Sequence, residues 1–203
     1  TVGHGLSSAP EWIFGRPIEQ TGGYNWSVYH KSLTSASYYL SLNLNTAESS
    51  NSNVWGTAPS SSVISVGTSM SASTEPMILY CWHGVDGFSK FSSYTGNGSS
   101  DGTFVYTGFK PSFLMIKCTT HANNWVMYNN KMNPFNPVGE NLGTLFPNRT
   151  NSAETQGGID FCANGFKARS TYENFNGSGR TYVYMSFAEH PFVGNGTSPV
   201  TAR

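Results

Sequence analysis

Side chains able to do acid–base, nucleophilic or metal chemistry are few in this chain, and they are scattered. The five histidines, His4, His30, His83, His121 and His190, stand far apart with neither HxH nor HExxH spacing. A zinc site needs three or four such ligands converging on one point. No metal-ligand set is therefore assigned. Serines are abundant, but no Gly-x-Ser-x-Gly elbow is present to lift a nucleophile out of a strand-to-helix turn. The eleven acidic residues form no suggestive local pair, whereas glycoside hydrolysis needs two carboxyl groups about 5–10 Å apart across a sugar. Gly3-His4-Gly5 superficially resembles a phosphate loop, yet nothing helical follows it to supply the aligned N–H groups. No catalytic residue and no cofactor is assigned, and a non-enzymatic protein is expected.

Aromatic residues are the better lead, because they make up 14% of the chain. Exposed Trp and Tyr rings give sugars a rigid apolar face to stack on, at little cost in side-chain entropy. Trp26 and Trp125 occur in equivalent contexts, as do Tyr29 and Tyr128, so these are read as scaffold. Tyr24, Trp55, His121 and Tyr172 have no such counterpart and lie in turn-rich segments. These four are the ligand-contact residues expected from sequence.

The equivalence comes from a pattern that occurs twice. Pro10-Glu11-Trp12-Ile13-Phe14 is answered by Pro111-Ser112-Phe113-Leu114-Met115, and Asn25-Trp26-Ser27-Val28-Tyr29 by Asn124-Trp125-Val126-Met127-Tyr128, each about a hundred residues later. Met77 to His83 similarly matches Tyr182 to Ala188. Recurrence at a fixed offset indicates tandem units, here 1–90 and 103–193, with a linker at 91–102 and a Gly/Ser/Thr/Pro-rich tail at 194–203.

Helical periodicity is almost absent, and short apolar or alternating runs predict strands near 12–14, 26–29, 39–44, 63–66, 77–82, 113–116, 159–161 and 182–188. Asn-Gly and Asp-Gly pairs punctuate them. Asn164-Gly165 is the clearest hairpin turn, with further turns at Thr21-Gly22-Gly23 and Asn195-Gly196. Single helical turns fit near 46–53 and 152–156. The expected fold is all-β: two tandem pseudo-symmetric repeat units forming a β-sandwich-like domain, since a unit of this size is marginal alone.

The formal net charge is zero and only 11% of the 203 residues are charged, so no basic field draws the chain to nucleic acid or to an anionic membrane. No apolar run nears the roughly 20 residues of a membrane-spanning helix. Cys81, Cys118 and Cys162 lack CxxC spacing and sit in or beside apolar stretches, predicting buried free thiols and a reducing compartment of folding. The five Asn-x-Ser/Thr sequons, at Asn25, Asn97, Asn148, Asn176 and Asn195, are close to chance in a chain so rich in these residues. The chain starts at Thr1, as expected of a processed product or the ordered end of a longer polypeptide.

The segment from Gly87 to Pro111, GFSKFSSYTGNGSSDGTFVYTGFKP, resembles the signature of β-rich repeat domains in tailed-bacteriophage virion proteins, notably tail fibres and related appendages of marine phages. Asn124-Trp125-Val126-Met127-Tyr128, Ala188-Glu189-His190-Pro191-Phe192 and the terminal Pro199-Val200-Thr201-Ala202-Arg203 are similar to that family too. The resemblance implies a non-enzymatic module near the C-terminal end of a longer virion protein, partnered by other virion proteins and often homotrimeric. It supplies no catalytic or binding residues. Three functions follow as expectations: an adhesive module binding host-surface glycan or protein, a purely structural capsid-decoration or fibre-stabilising domain, and a glycan-degrading tailspike domain. The last would need paired acids such as Asp160 or Glu173.

Overall fold

The computed structural model describes residues 1–18, 23–70, 76–132, 134–138, 143–155 and 157–190. The turn at 21–22, the end of the second unit at 191–193 and the tail at 194–203, with its turn at Asn195-Gly196, lie outside them.

Alternation and turn chemistry produce short antiparallel strands throughout. In the first half these are β1 (Val2–Gly3), β2 (Trp12–Pro17), β3 (Ser27–His30), β4 (Tyr38–Ser41), β5 (Ser49–Ser50), β6 (Val63–Ile64) and β7 (Met77–Trp82). In the second they are β8 (Ser89–Thr95), β9 (Phe104–Tyr106), β10 (Pro111–Cys118), β11 (Val126–Asn129), β12 (Ile159–Cys162), β13 (Gly165–Ala168) and β14 (Thr181–Ala188), with one helical turn, α1 (Glu173–Asn176), before β14. One sheet runs β5-β4-β3-β2-β7 and another β11-β10-β14-β8; β12-β13-β9 and β1-β6 form smaller ones. The two larger sheets share a local order. Each central strand, β2 or β10, pairs with the strand that follows it, β3 or β11, and with the late strand β7 or β14.

The sheets pack face to face because alternate residues of each central strand are apolar on both faces. Trp12, Val28 and Leu40 of the first sheet meet Phe91, Met115, Val183 and Met185 of the second, joined by Trp125. Ile13 and Tyr29 point the other way, against Val54, Trp55, Ile64 and Met70 of the connection that follows β5. On the far side of the second sheet, Leu114, Ile116, Tyr182 and Tyr184 are covered by Phe161 and Phe166 of the three-stranded sheet and by Phe175 of α1. The protein is thus an all-β sandwich with an outer cover on each side. Polar bonds also cross between the halves: Trp125 Nε1 donates to the Ser41 carbonyl at 2.9 Å, and the Glu48 N–H donates to the Thr119 carbonyl at 2.9 Å.

Several local expectations are corrected. Residues 89–95, which overlap the linker read at 91–102, form β8 and pair along β14. The serines hide an alternation in which Ser89 and Phe91 are buried, and an edge strand tolerates the polar remainder. The segments 46–53 and 152–155 are not helical; β5 occupies part of the first. The β12–β13 hairpin turns at Ala163-Asn164, because Cys162 pairs with Gly165. Gly165 is needed for another reason: a Cβ there would lie 2.2 Å from the Val105 carbonyl oxygen of neighbouring β9. All three cysteines are unpaired, with Cys118 buried and Cys81 and Cys162 half-buried.

Candidate functional site

A cleft of about 440 Å³ opens where the two halves meet, within the size range of small-molecule and saccharide sites. Its first wall comes from the first sheet. Glu11 precedes β2 and Lys31 follows β3, so the antiparallel register brings them side by side, with Nζ and Oε1 2.8 Å apart. The other Glu11 oxygen, Oε2, accepts the Gly84 N–H at 3.2 Å. This pair is partly exposed to solvent, so it contributes at most about 1 kcal/mol to stability. Its effect is to hold a carboxylate and an ammonium group at the cleft.

The floor and second wall come from the β7–β8 turn, from β8 and from the β9–β10 connection. Ser89 is fixed by its turn, accepting the Val85 N–H at 3.1 Å and donating to the His83 carbonyl at 3.3 Å. Lys90 reaches across to β9, donating to the Tyr106 carbonyl at 3.1 Å while its Nζ sits 5.1 Å from the Tyr106 ring centroid. Tyr106 is 59% exposed, and Asp86 stands on the exposed turn. Gly108 turns the chain with φ +89°, a conformation in which a side chain would be strained. The cleft thus combines ammonium donors, carboxylate acceptors, hydroxyls and an aromatic face. That set suits a polyhydroxylated ligand, whose hydroxyls both donate and accept and whose C–H faces stack on rings.

Beneath Lys31 lies a group that the cleft cannot use directly. His30 is buried against the edge of Trp12, ring centroids 5.0 Å apart, and its Nδ1 accepts the Ser32 N–H at 2.9 Å. Burial, and then the charge of Lys31, lower its pKa to about 3, against a smaller opposing effect of the Tyr184 carbonyl. It is neutral at physiological pH. Among the described residues, no group of three His, Cys, Asp or Glu side chains is placed to hold a metal ion.

The four contact residues expected from sequence are not brought together. Tyr24 is 37% exposed and lines a separate recess of about 150 Å³ beside Pro17, Tyr39 and Asn51. Trp55 is corrected outright. At 1% exposure it is core, packed on Tyr29, because the cover it belongs to folds back over β2 and β3. His121 is exposed after β10, with Nδ1 3.0 Å from the Thr120 hydroxyl. Tyr172 caps the fold locally: its hydroxyl accepts from Asn174 at 2.7 Å and its ring packs edge-on against Phe175. Asp160 and Glu173, the acids considered for glycan cleavage, are each tied to an arginine, Arg169 at 3.0 Å and Arg180 at 2.9 Å. The recurring tryptophans also diverge, since Trp125 is fully buried and Trp26 is only half-buried.

Sequence reasoning by residue type missed Lys31, Lys90 and Tyr106, because no local pattern marks them. Nine of the thirteen cleft residues fall between Gly87 and Pro111.

The fold and cleft define an all-β sandwich with a polar recess at the junction of its halves. Over residues 1–191 the chain matches, and belongs to, the family described as "Domain of unknown function (DUF7483)". No curated protein and no solved structure matches it.

Proposed function

We propose that this chain is a non-enzymatic structural and adhesive module of a bacteriophage tail fibre or other virion appendage, engaging a host-surface glycan or protein through the seam cleft. The observation that carries the adhesive part is the cleft itself, with Tyr106 beside Lys90 and the Glu11–Lys31 pair. The virion assignment rests on the resemblance of the Gly87–Pro111 segment, which supplies most of the lining. In this reading the module lies near the C-terminal end of a longer chain, works as a homo-oligomer (a trimer by analogy) beside other virion proteins, and is carried on the particle after assembly in the host cytoplasm. A glycan array and a host-cell adsorption assay on the intact assembly test it. Binding should weaken about tenfold in Tyr106→Ala, the size of one lost stacking or charge-assisted contact. Absence of binding to cells and glycans alike sinks the adhesive part.

A purely structural role, as capsid decoration or fibre stabiliser, is the second reading. Among the described residues β7 and β8 each end their sheet, which favours it, because the edge strand of a sheet can accept a neighbouring strand. Electron microscopy of the particle separates the two: a module buried against other subunits with its cleft occluded supports structure, and an outward-facing cleft supports adhesion.

A further inference from the structure

A second surface lies away from the cleft, on the first sheet. In the β2–β7 register Arg16 stands opposite Ile78, Phe14 opposite Tyr80 and Trp12 opposite Trp82. On the other side of β2, Gly15 pairs with Ser27, so Trp26 comes beside Arg16. Strand alternation then puts Phe14, Arg16, Trp26, Tyr80 and Trp82 on one face, the face that packs on the second sheet. At the Trp12 end that face is sealed, with Trp12 fully buried. At the Arg16 end it opens to solvent, and Tyr80 is 46% exposed.

An aromatic row runs from this open end inward to half-buried Trp82, which pairs with Trp12 and packs against the core between the sheets. Trp26 and Tyr80 lie 6.1 Å apart with ring planes 30° from parallel, and Tyr80 and Trp82 lie 6.2 Å apart at 22°. Arg16 closes the row with its guanidinium 6.0 Å from the Trp26 ring centroid. Among the described residues, every ion pair involves other cations. A guanidinium held against an aromatic ring keeps its N–H edges available for a bidentate carboxylate. The whole chain has no net charge to attract anions from a distance, so acid selectivity here has to come from Arg16 at contact range.

We infer that Arg16, Trp26 and Tyr80 form a binding surface for a carboxylate-bearing polysaccharide, one whose sugars contact the open Trp26 and Tyr80 rings while a uronate carboxylate pairs with Arg16. This inference requires neither the seam cleft nor a virion location. The test is a tryptophan-fluorescence and affinity-electrophoresis titration of the intact chain with oligogalacturonate, alginate and hyaluronan, and with methyl-esterified oligogalacturonate as the uncharged control. At least one acid should bind, and the ester should bind about tenfold more weakly than its acid, the size of one charge-assisted bond. Arg16→Gln should weaken acid binding by a similar factor and leave ester binding unchanged, with Arg16→Lys intermediate. Tyr80→Ala should weaken both, with the fold retained because Tyr80 is outside the buried core. Tyr106→Ala should leave all of these constants unchanged, which separates this surface from the cleft. The inference is overturned if none of the three acids binds, if acid and ester bind alike, or if Arg16→Gln has no effect. It is also overturned if sedimentation velocity shows that the row mediates pairing with a second copy of the chain.

Discussion

Acidification should destabilise this protein before its carboxylates titrate, and His30 is the reason. In the unfolded chain its imidazole binds a proton near pH 6.5, whereas in the fold that affinity is displaced to about 3. The Ser32 N–H already occupies Nδ1, so protonation has to break that bond and bury a charge beside Trp12. Between these two values the unfolded state binds more protons than the native state. Stability is therefore intact above pH 6.5 and is lost as pH falls toward 3. The difference of about 3.5 pKa units corresponds to about 5 kcal/mol in full, of which about 2 is lost by pH 5. For a domain of this size that is a fall of roughly 4–8 °C in melting temperature between pH 7 and pH 5. Urea denaturation at half-unit pH steps measures the slope, and His30→Gln, which cannot titrate, should flatten it whatever its own baseline stability. Following the imidazole Cε1 proton by NMR gives a direct reading, with no titration expected above pH 4. A folded-state midpoint above pH 5, or identical slopes in the two proteins, would refute the reasoning.

Lys117 should act in the same direction, at the alkaline end of the pH range. It is fully buried between the halves, its Nζ donating to the Cys118 carbonyl at 2.7 Å and reaching that of Asn45 at 3.4 Å, and burial lowers its pKa to about 8. Here too the unfolded state holds its proton longer, so this contribution rises with pH by about 2 kcal/mol between pH 7 and 9.5. Cys81 and Cys162, whose thiols are pushed up by burial, pull the other way. The quantity to measure is thus the difference between wild type and Lys117→Met, and no difference in slope would count against a buried charge. Gly165→Ala should cost about 1–3 kcal/mol in chemical denaturation, because its Cβ meets a backbone oxygen that cannot rotate away; a cost under about 0.5 kcal/mol, the usual scatter of surface substitutions, would contradict the packing described.

Much of the architecture was legible because β-structure writes itself locally. Trp12-Ile13-Phe14, Met77 to Trp82 and Phe113 to Ile116 read as strands and are strands, since pairing needs only alternate burial and a turn at each end. Where polar residues dominate, the signal fades: the serines of β8 concealed an edge strand, and the Asn-Gly dipeptide misplaced a hairpin turn by one residue. Exposure was the least legible property. Trp55 looked like a surface residue in a turn-rich segment and is core, and Trp26 looked like scaffold and borders an open aromatic row.

The chain's own residues therefore determined the all-β class, the low charge, the unpaired thiols and the places where strands begin, since these depend on composition and on neighbours a few positions apart. Only the tertiary structure decided which residues meet. Glu11, Lys31, Lys90 and Tyr106 share a cleft because two sheets from opposite halves pack face to face. Arg16, Trp26 and Tyr80 share one face because the β2–β3 and β2–β7 registers bring them together there, with Tyr80 left exposed. Both depend on which face of a strand is covered and by what, and that is set by contacts between residues tens of positions apart, which no local pattern encodes.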